Sequence, residues 1–303
     1  MSGPGGAAEV VDAHHHVWDL AVRPQPWIDP VGMAPIARSF GAADLHEAAA
    51  GLGATGRARV VAAVVVQTVR DAAETPELLD LAAADPLVAA AVGWVDLTGD
   101  DPRELAALAL DPARPLLAGV RAQAQEEPDP GWLDRPDVRA GIAAAGRAGL
   151  VVDLLVTARQ LPAAVRCVHD LDGVRFVLDH LGKPPVAAGH LQPWAGRLRE
   201  LARAPHVVAK VSGLVTEADT SGWSAPQLRP WVQVALEAFG PDRLAVGSDW
   251  PVCLLAGSYA DVLGATLECL APLSGAERAA VLAGTARRVY ALPGPGAPRD
   301  PRP

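Results

Sequence analysis

Eight short apolar runs punctuate the chain, over residues 9–14, 60–67, 88–95, 116–121, 150–155, 174–179, 207–210 and 243–248. Most are near-continuous rather than alternating, the pattern of strands buried on both faces of a parallel sheet. Amphipathic or alanine-rich stretches lie between them and predict helices over 43–50, 76–84, 102–110, 136–148, 158–171, 194–204, 225–239 and 259–270. Eight such β–α units in succession predict an α/β protein folded as a (β/α)8, TIM-like barrel. A doubly wound sheet is the competing arrangement, but no glycine-rich phosphate loop follows the first run. Ser274-Gly275-Ala276-Glu277 reads as a capping box that opens a last helix running to about Tyr290.

Composition narrows the class. Of 303 residues, half are hydrophobic and a fifth charged, enough apolar material for one large core. The sequence divides into a flexible N-terminus (1–8), a single barrel domain (9–291) and a disordered Pro/Gly/Arg-rich tail (292–303). A formal charge of -9 without Lys/Arg clusters argues against nucleic acid as a partner. Cys167, Cys253 and Cys269 are far apart and form no CxxC pair, which suits a reducing cytoplasm. Neither a signal peptide nor a membrane span is expected, and subunit number is not written in the pattern.

In such a barrel the chemistry sits where strands end, on the loops at the C-terminal face. His14 and His16 end the first run and, being two residues apart on a strand, project to one side, while His15 points the other way. His180 follows the sixth run and Asp249 the eighth. These four suit one divalent ion, with zinc the natural choice, and serve equally as a polar centre without metal. Asp12 shares the period of His14 and His16, and either orients an imidazole or binds backbone. Arg121 and Lys210, at the ends of the fourth and seventh runs, are candidate substrate contacts, with an ion pair across the barrel as the other reading. Lys183 can reach a neighbouring acid as easily as a substrate. His46, His169, His190 and His206 fall away from the mouth. Trp18, Trp27, Trp94, Trp132, Trp223 and Trp250 lie at strand ends or in long loops, where core filling competes with apolar platforms for a sugar-like ligand. The long segment 18–40, and loops at 123–134 and 213–227, are placed to cover a substrate.

Several motifs occur in order: Asp12-Ala13-His14-x-His16-x-Trp18, Gly119-Val120-Arg121, Leu178-Asp179-His180-Leu181-Gly182-Lys183-Pro184, Lys210-Val211-Ser212-Gly213-Leu214, Phe239-Gly240-Pro241-Asp242-Arg243-Leu244 and Gly247-Ser248-Asp249-Trp250-Pro251-Val252. Together they resemble the amidohydrolase-related metal-dependent hydrolase superfamily, and within it the sugar-lactonase branch that includes L-fuconolactonases. The resemblance implies an amidohydrolase-type barrel and hydrolysis of a lactone to a hydroxy acid. It puts His14, His16, His180 and Asp249 in the catalytic centre, with Asp249 as general base, and Arg121, Trp250 and Gln67 near the substrate. Two positions depart from the branch: Ala122 stands where a His is common, which removes a polar contact, and Thr285 replaces an Asn.

The expected function is therefore opening of an aldonolactone by water that Asp249 activates. Arg121, the histidines or a metal would steady the oxyanion, and a protonated His180 would return the proton. Trp27 and Lys210 complete the expected substrate contacts. A zinc-dependent, non-hydrolytic decarboxylase and a non-catalytic small-molecule-binding barrel are the alternatives.

Overall fold

The computed structural model describes residues 7–99 and 116–292. Eight parallel strands follow one another around a single sheet: β1 (Ala8–His15), β2 (Ala58–Val66), β3 (Val88–Gly93), β4 (Leu117–Gln123), β5 (Val151–Leu155), β6 (Phe176–Leu178), β7 (Val207–Val211) and β8 (Leu244–Val246). The last strand returns to the first through a parallel bridge between His15 and Trp250 and a 2.8 Å bond from Asp249 N–H to the His14 carbonyl. All eight predicted strands are present. The sixth and eighth are shorter than their apolar runs because tight turns take over at Asp179 and Gly247, while β4 runs two residues further and carries Gln123 to the mouth.

Helices surround the barrel: α1 (Ala42–Ala54), α2 (Glu74–Ala84), α3 (Pro136–Arg147), α4 (Leu161–Asp170), α5 (Trp194–Leu201), α6 (Ala225–Phe239) and α7 (Tyr259–Cys269). The helix predicted over 102–110 lies outside the described residues. The capping box forms as expected: Ser274 N–H donates to Glu277 Oε2 at 2.8 Å and Glu277 N–H returns the bond to Ser274 Oγ. It opens α8 (Gly275–Ala279), which continues through a wide π turn at Ala280–Gly284 into α9 (Thr285–Val289). This last segment packs against β1 and β8. Thr285 is buried there and donates to the Asp242 carbonyl, a structural bond away from the mouth.

Strand residues divide by face. Val10, Val65, Ala91, Val120, Leu178 and Val246 join the helices in the outer core, and Ala122 faces the same way. Val11, Ala13, Val64, Val92, Val177 and Ala245 fill the barrel interior with Val289 and Tyr290. The register shifts at several points between β1 and β4, and one shift matters for the site. Between Asp12 and His15 strand β1 carries one residue more than its partner between Ala63 and Val65, a β-bulge that reverses which face each later side chain takes. Asp12 therefore does not share the side of His14 and His16. Its carboxylate turns to the β1–β8 seam, accepting from Ser248 N–H (2.8 Å), Ser248 Oγ (2.6 Å) and the Tyr259 hydroxyl of α7 (3.0 Å). It binds the seam and orients no imidazole.

Candidate active site

Four side chains meet at the C-terminal mouth. His14 lies near the end of β1 and His16 one residue past it, and His180 and Asp249 stand in the turns after β6 and β8. Both turns take left-handed backbone, with φ of 53° at His180 and 58° at Asp249, a conformation that costs a residue with a Cβ on the order of 1–3 kcal/mol. Two glycines make the close packing possible. A Cβ on Gly213 would lie 2.6 Å from His180 Nδ1, and one on Gly247 would lie 2.7 Å from the His14 Cβ.

The donor atoms converge. His14 Nε2 and His16 Nε2 are 3.2 Å apart, and Asp249 Oδ1 lies 3.5 Å from His16 Nε2, 3.7 Å from His14 Nε2 and 3.8 Å from His180 Nε2. Four ligands at zinc bond lengths in a tetrahedron stand about 3.3 Å from one another. The far nitrogens are tied down as well. His16 Nδ1 is 2.7 Å from the Val66 carbonyl, which only accepts, so its proton is on Nδ1 and Nε2 offers a lone pair to the cluster. His180 Nδ1 is held by Ser212 Oγ at 2.9 Å. A lone pair facing a second ring nitrogen at 3.2 Å calls for a proton or a cation between them, and His14, His16 and Asp249 fit a divalent ion, with His180 3.8 Å from the same carboxylate and grouped also with His14 and Asp179.

Beneath the imidazoles lies a buried charged layer. Lys210 Nζ sits 2.6 Å from Asp153 Oδ2, 2.9 Å from Asp179 Oδ1 and 3.1 Å from His14 Nδ1, and the Tyr290 hydroxyl donates to Asp153 at 2.7 Å. His14 Nδ1 is also 3.3 Å from Asp179, so its ring stands between an ammonium and a carboxylate. Burial works against the charge of Lys210, and Asp153 and Asp179 more than offset it, so the ammonium persists.

A cavity of about 470 Å3 opens above the cluster. His16, His180, Asp249 and Arg121 face into it, with Trp27 and Met33 from the 18–40 segment on one side and Val252 and Leu255 beside them. Lys183, Thr216 and Glu217 line another part of its wall. The long segments after β1, β4 and β7 thus all reach the mouth, as their lengths led us to expect. Arg121 is aimed by Gln67: its Nη2 lies 3.0 Å from Gln67 Oε1 and also bonds the Gln67 carbonyl, while Nη1 is 3.6 Å from Asp179 Oδ2.

Burial dominates the titration of this region. It drives His180 down to about 4 and, with the Lys210 charge, holds His14 well below the ordinary histidine value. For Asp249 burial acts to raise the pKa, but His180, His16 and His14 outweigh it and keep the carboxyl below its usual range. Near neutral pH the centre therefore holds an ionised Asp249 beside neutral His14 and His180. A protonated His180, expected from the sequence to return the proton, is not the resting form.

Three expected substrate contacts lie elsewhere. Trp250 is buried, with its ring 5.3 Å from Phe40 in an aromatic cluster that includes Trp18, because the turn after Asp249 directs it under the 18–40 segment. Lys210 is sealed below the imidazoles, where the ion-pair reading holds. Gln67 is fully buried behind Arg121 and bonds Gln123 Oε1 at 2.9 Å. The tryptophans form no common platform: Trp27 reaches the main cavity, Trp94 and Trp132 line a separate one of about 290 Å3, and Trp223 bonds the Ala256 carbonyl. Ala122 packs in the outer core and, beside Arg121 and Gln123, lines the 290 Å3 cavity; it does not line the main one. Of the remaining histidines, His46 pairs with Asp85, His169 and His206 approach backbone carbonyls, and His190 is exposed. Sequence reasoning missed Asp153, although a carboxylate inside the apolar run 150–155 is itself a signal, and it missed Tyr290, Ser212 and Glu217, whose roles arise only from packing.

A parallel barrel that gathers three imidazoles and a carboxylate at its C-terminal mouth is built as a barrel hydrolase. Residues 11–292 match the amidohydrolase family, to which the chain belongs. It is 42% identical over 299 residues to an L-fucono-1,5-lactonase of Burkholderia multivorans, covering 94% of this chain and 97% of that one. A second L-fucono-1,5-lactonase, from Burkholderia ambifaria, is 38% identical over 291 residues, covering 94% and 96%. The fold matches a crystal structure of a Burkholderia multivorans amidohydrolase with bound zinc at a TM-score of 0.84 and 39% identity, over 94% of this chain and all of that one. No helix among the described residues is long and apolar enough to cross a membrane.

Proposed function

We propose that this protein is a lactonase that opens a sugar-derived aldonolactone of the L-fucono-1,5-lactone type to its hydroxy acid. The placing of Asp249 Oδ1 within 3.8 Å of His14, His16 and His180, beside a 470 Å3 cavity, carries the reading, and the similarity to two L-fucono-1,5-lactonases supports the substrate class. A cavity of that size suits a single sugar ring.

Asp249, ionised and facing the cavity, takes a proton from the attacking water as a bond forms to the ring carbonyl carbon. The Arg121 guanidinium, fixed by Gln67, faces the oxyanion that develops. Collapse breaks the ring carbon–oxygen bond, and the proton held on Asp249 passes to the leaving alkoxide, since a neutral His180 has no extra proton to give. His14, His16, His180 and Asp249 are the residues that would hold a zinc ion, which when bound supplies Lewis acidity and lowers the pKa of water. Three buried unpaired thiols suit a reducing compartment and support a cytoplasmic setting.

A pH-indicator assay over a panel of aldonolactones, on protein as purified and after chelation with zinc content measured in parallel, tests the proposal. Acid release from one stereochemical class is expected, and Asp249→Asn should lower its rate by about 10²–10⁴-fold. Full activity in Asp249→Asn would overturn the mechanism. Absence of acid from every sugar lactone would overturn the function.

A further inference from the structure

One pair of charges at the mouth has no part in the chemistry above. Lys183 and Glu217 both line the cavity, their side chains 26% and 27% exposed, with Nζ and Oε1 3.7 Å apart. That separation exceeds a normal hydrogen bond, so the ammonium keeps donors and the carboxylate keeps acceptor sites for a third group. The backbone holds both in place. Lys183 lies in the left-handed region at φ 49°, immediately before Pro184, where a residue is ordinarily extended. Ala187 N–H donates to the Glu217 carbonyl at 2.9 Å, which staples the loop after β6 to the loop after β7. The turn bearing Glu217 is fixed in turn by Thr216 Oγ, which donates to the Gly213 carbonyl at 2.9 Å. Trp27, Met33, Val252 and Leu255 give the same cavity an apolar surface.

On the reading of the site as a lactonase, we infer that Lys183 and Glu217 form a hydroxyl clamp that selects polyhydroxylated lactones over unsubstituted ones. A ring hydroxyl placed between them donates its proton to Glu217 and accepts from Lys183, while the carbon–hydrogen faces of the sugar meet the apolar surface. Burial raises the pKa of Glu217, which agrees with a carboxylate set back from bulk water. Lys183 and Glu217 pair with each other and stand outside the cluster of His14, His16 and Asp249, so their effect belongs to selectivity. A site built to bond a hydroxyl rejects an analogue without it far more strongly than an apolar pocket rejects a missing methylene.

The test compares kcat/KM for the preferred six-membered aldonolactone with that for δ-valerolactone, the same ring without hydroxyls, in wild type, Glu217→Gln and Lys183→Met. Wild type should favour the hydroxylated ring, and each substitution should reduce that preference by about tenfold or more, mainly through KM. A preference unchanged in variants whose thermal unfolding matches wild type would overturn the clamp. If Glu217→Gln fails to fold, Lys183→Met decides alone. Wild type that opens both lactones equally well would refute the clamp and leave the lactonase reading standing. Wild type that opens neither would refute the lactonase reading itself.

Discussion

At Lys210 the barrel commits a full positive charge to a place no solvent reaches, and three groups depend on it. Asp153, Asp179 and His14 all face the ammonium within 3.1 Å. Lys210→Met keeps much of the side-chain volume but takes the ammonium from two buried carboxylates, leaving Asp179 to Arg121 and His14 and Asp153 to the Tyr290 hydroxyl. Removing one partner of a buried ion pair costs about 3–5 kcal/mol, so urea unfolding should show a loss of that size. A loss below about 1 kcal/mol would show that the layer is not charged as described. Residues of this kind were the least legible in the sequence. Lys210 could be placed at a strand end, but whether it faced the cavity or the barrel floor depended on how many side chains lie above it. Trp250 misled for the same reason: its position beside Asp249 was readable, but the direction of its ring was set by Phe40, more than two hundred residues earlier.

Among the elements, strands were the most legible, because a strand buried on both faces must be apolar nearly throughout and eight such runs stood clear of their surroundings. Their ends were less so: β6 and β8 give way at Asp179 and Gly247 to turns that carry His180 and Asp249 in left-handed backbone, which an apolar run does not announce. The β1 bulge was invisible, since an extra residue in a ladder leaves no mark on hydropathy. Its consequence is testable at the seam. Asp12→Ala removes the acceptor of Ser248 N–H, Ser248 Oγ and the Tyr259 hydroxyl together. Unmet buried donors cost about 1–3 kcal/mol each, so chemical denaturation should register a loss of at least about 2 kcal/mol. Turnover measured well below the unfolding transition should fall too, because Ser248 precedes Asp249. A variant as stable as wild type would remove Asp12 from the seam.

For the whole molecule, buried histidines set the response to acid. Burial lowers His15 to about 3 against an ordinary value of 6.5, and His180 to about 4. Between those values and 6.5 the unfolded chain binds protons that the folded chain refuses, so stability is complete above about pH 6.5 and falls on acidification. For His15 alone the loss between pH 6.5 and pH 5 is about 2 kcal/mol. Unfolding free energies measured across that range in chelator-treated protein should show this slope, and His15→Phe should flatten it by about one proton. An unchanged slope in the variant would mean that His15 titrates freely in the folded state. The architecture that imposes this burial, a parallel barrel wrapped in helices, was the broadest feature of the sequence and the most readable.

The single extra residue in β1 also bears on inheritance. Asp12, His14 and His16 read as one motif, yet the bulge assigns the first to the seam and the other two to the mouth. Among descendants of a common ancestor, substitutions at position 12 should track those at 248 and 259, while 14 and 16 should track 180 and 249. What looks like one signature along the chain is two groups with separate duties, and the bond from His14 N–H to Asp12 ties the inheritance of one to that of the other.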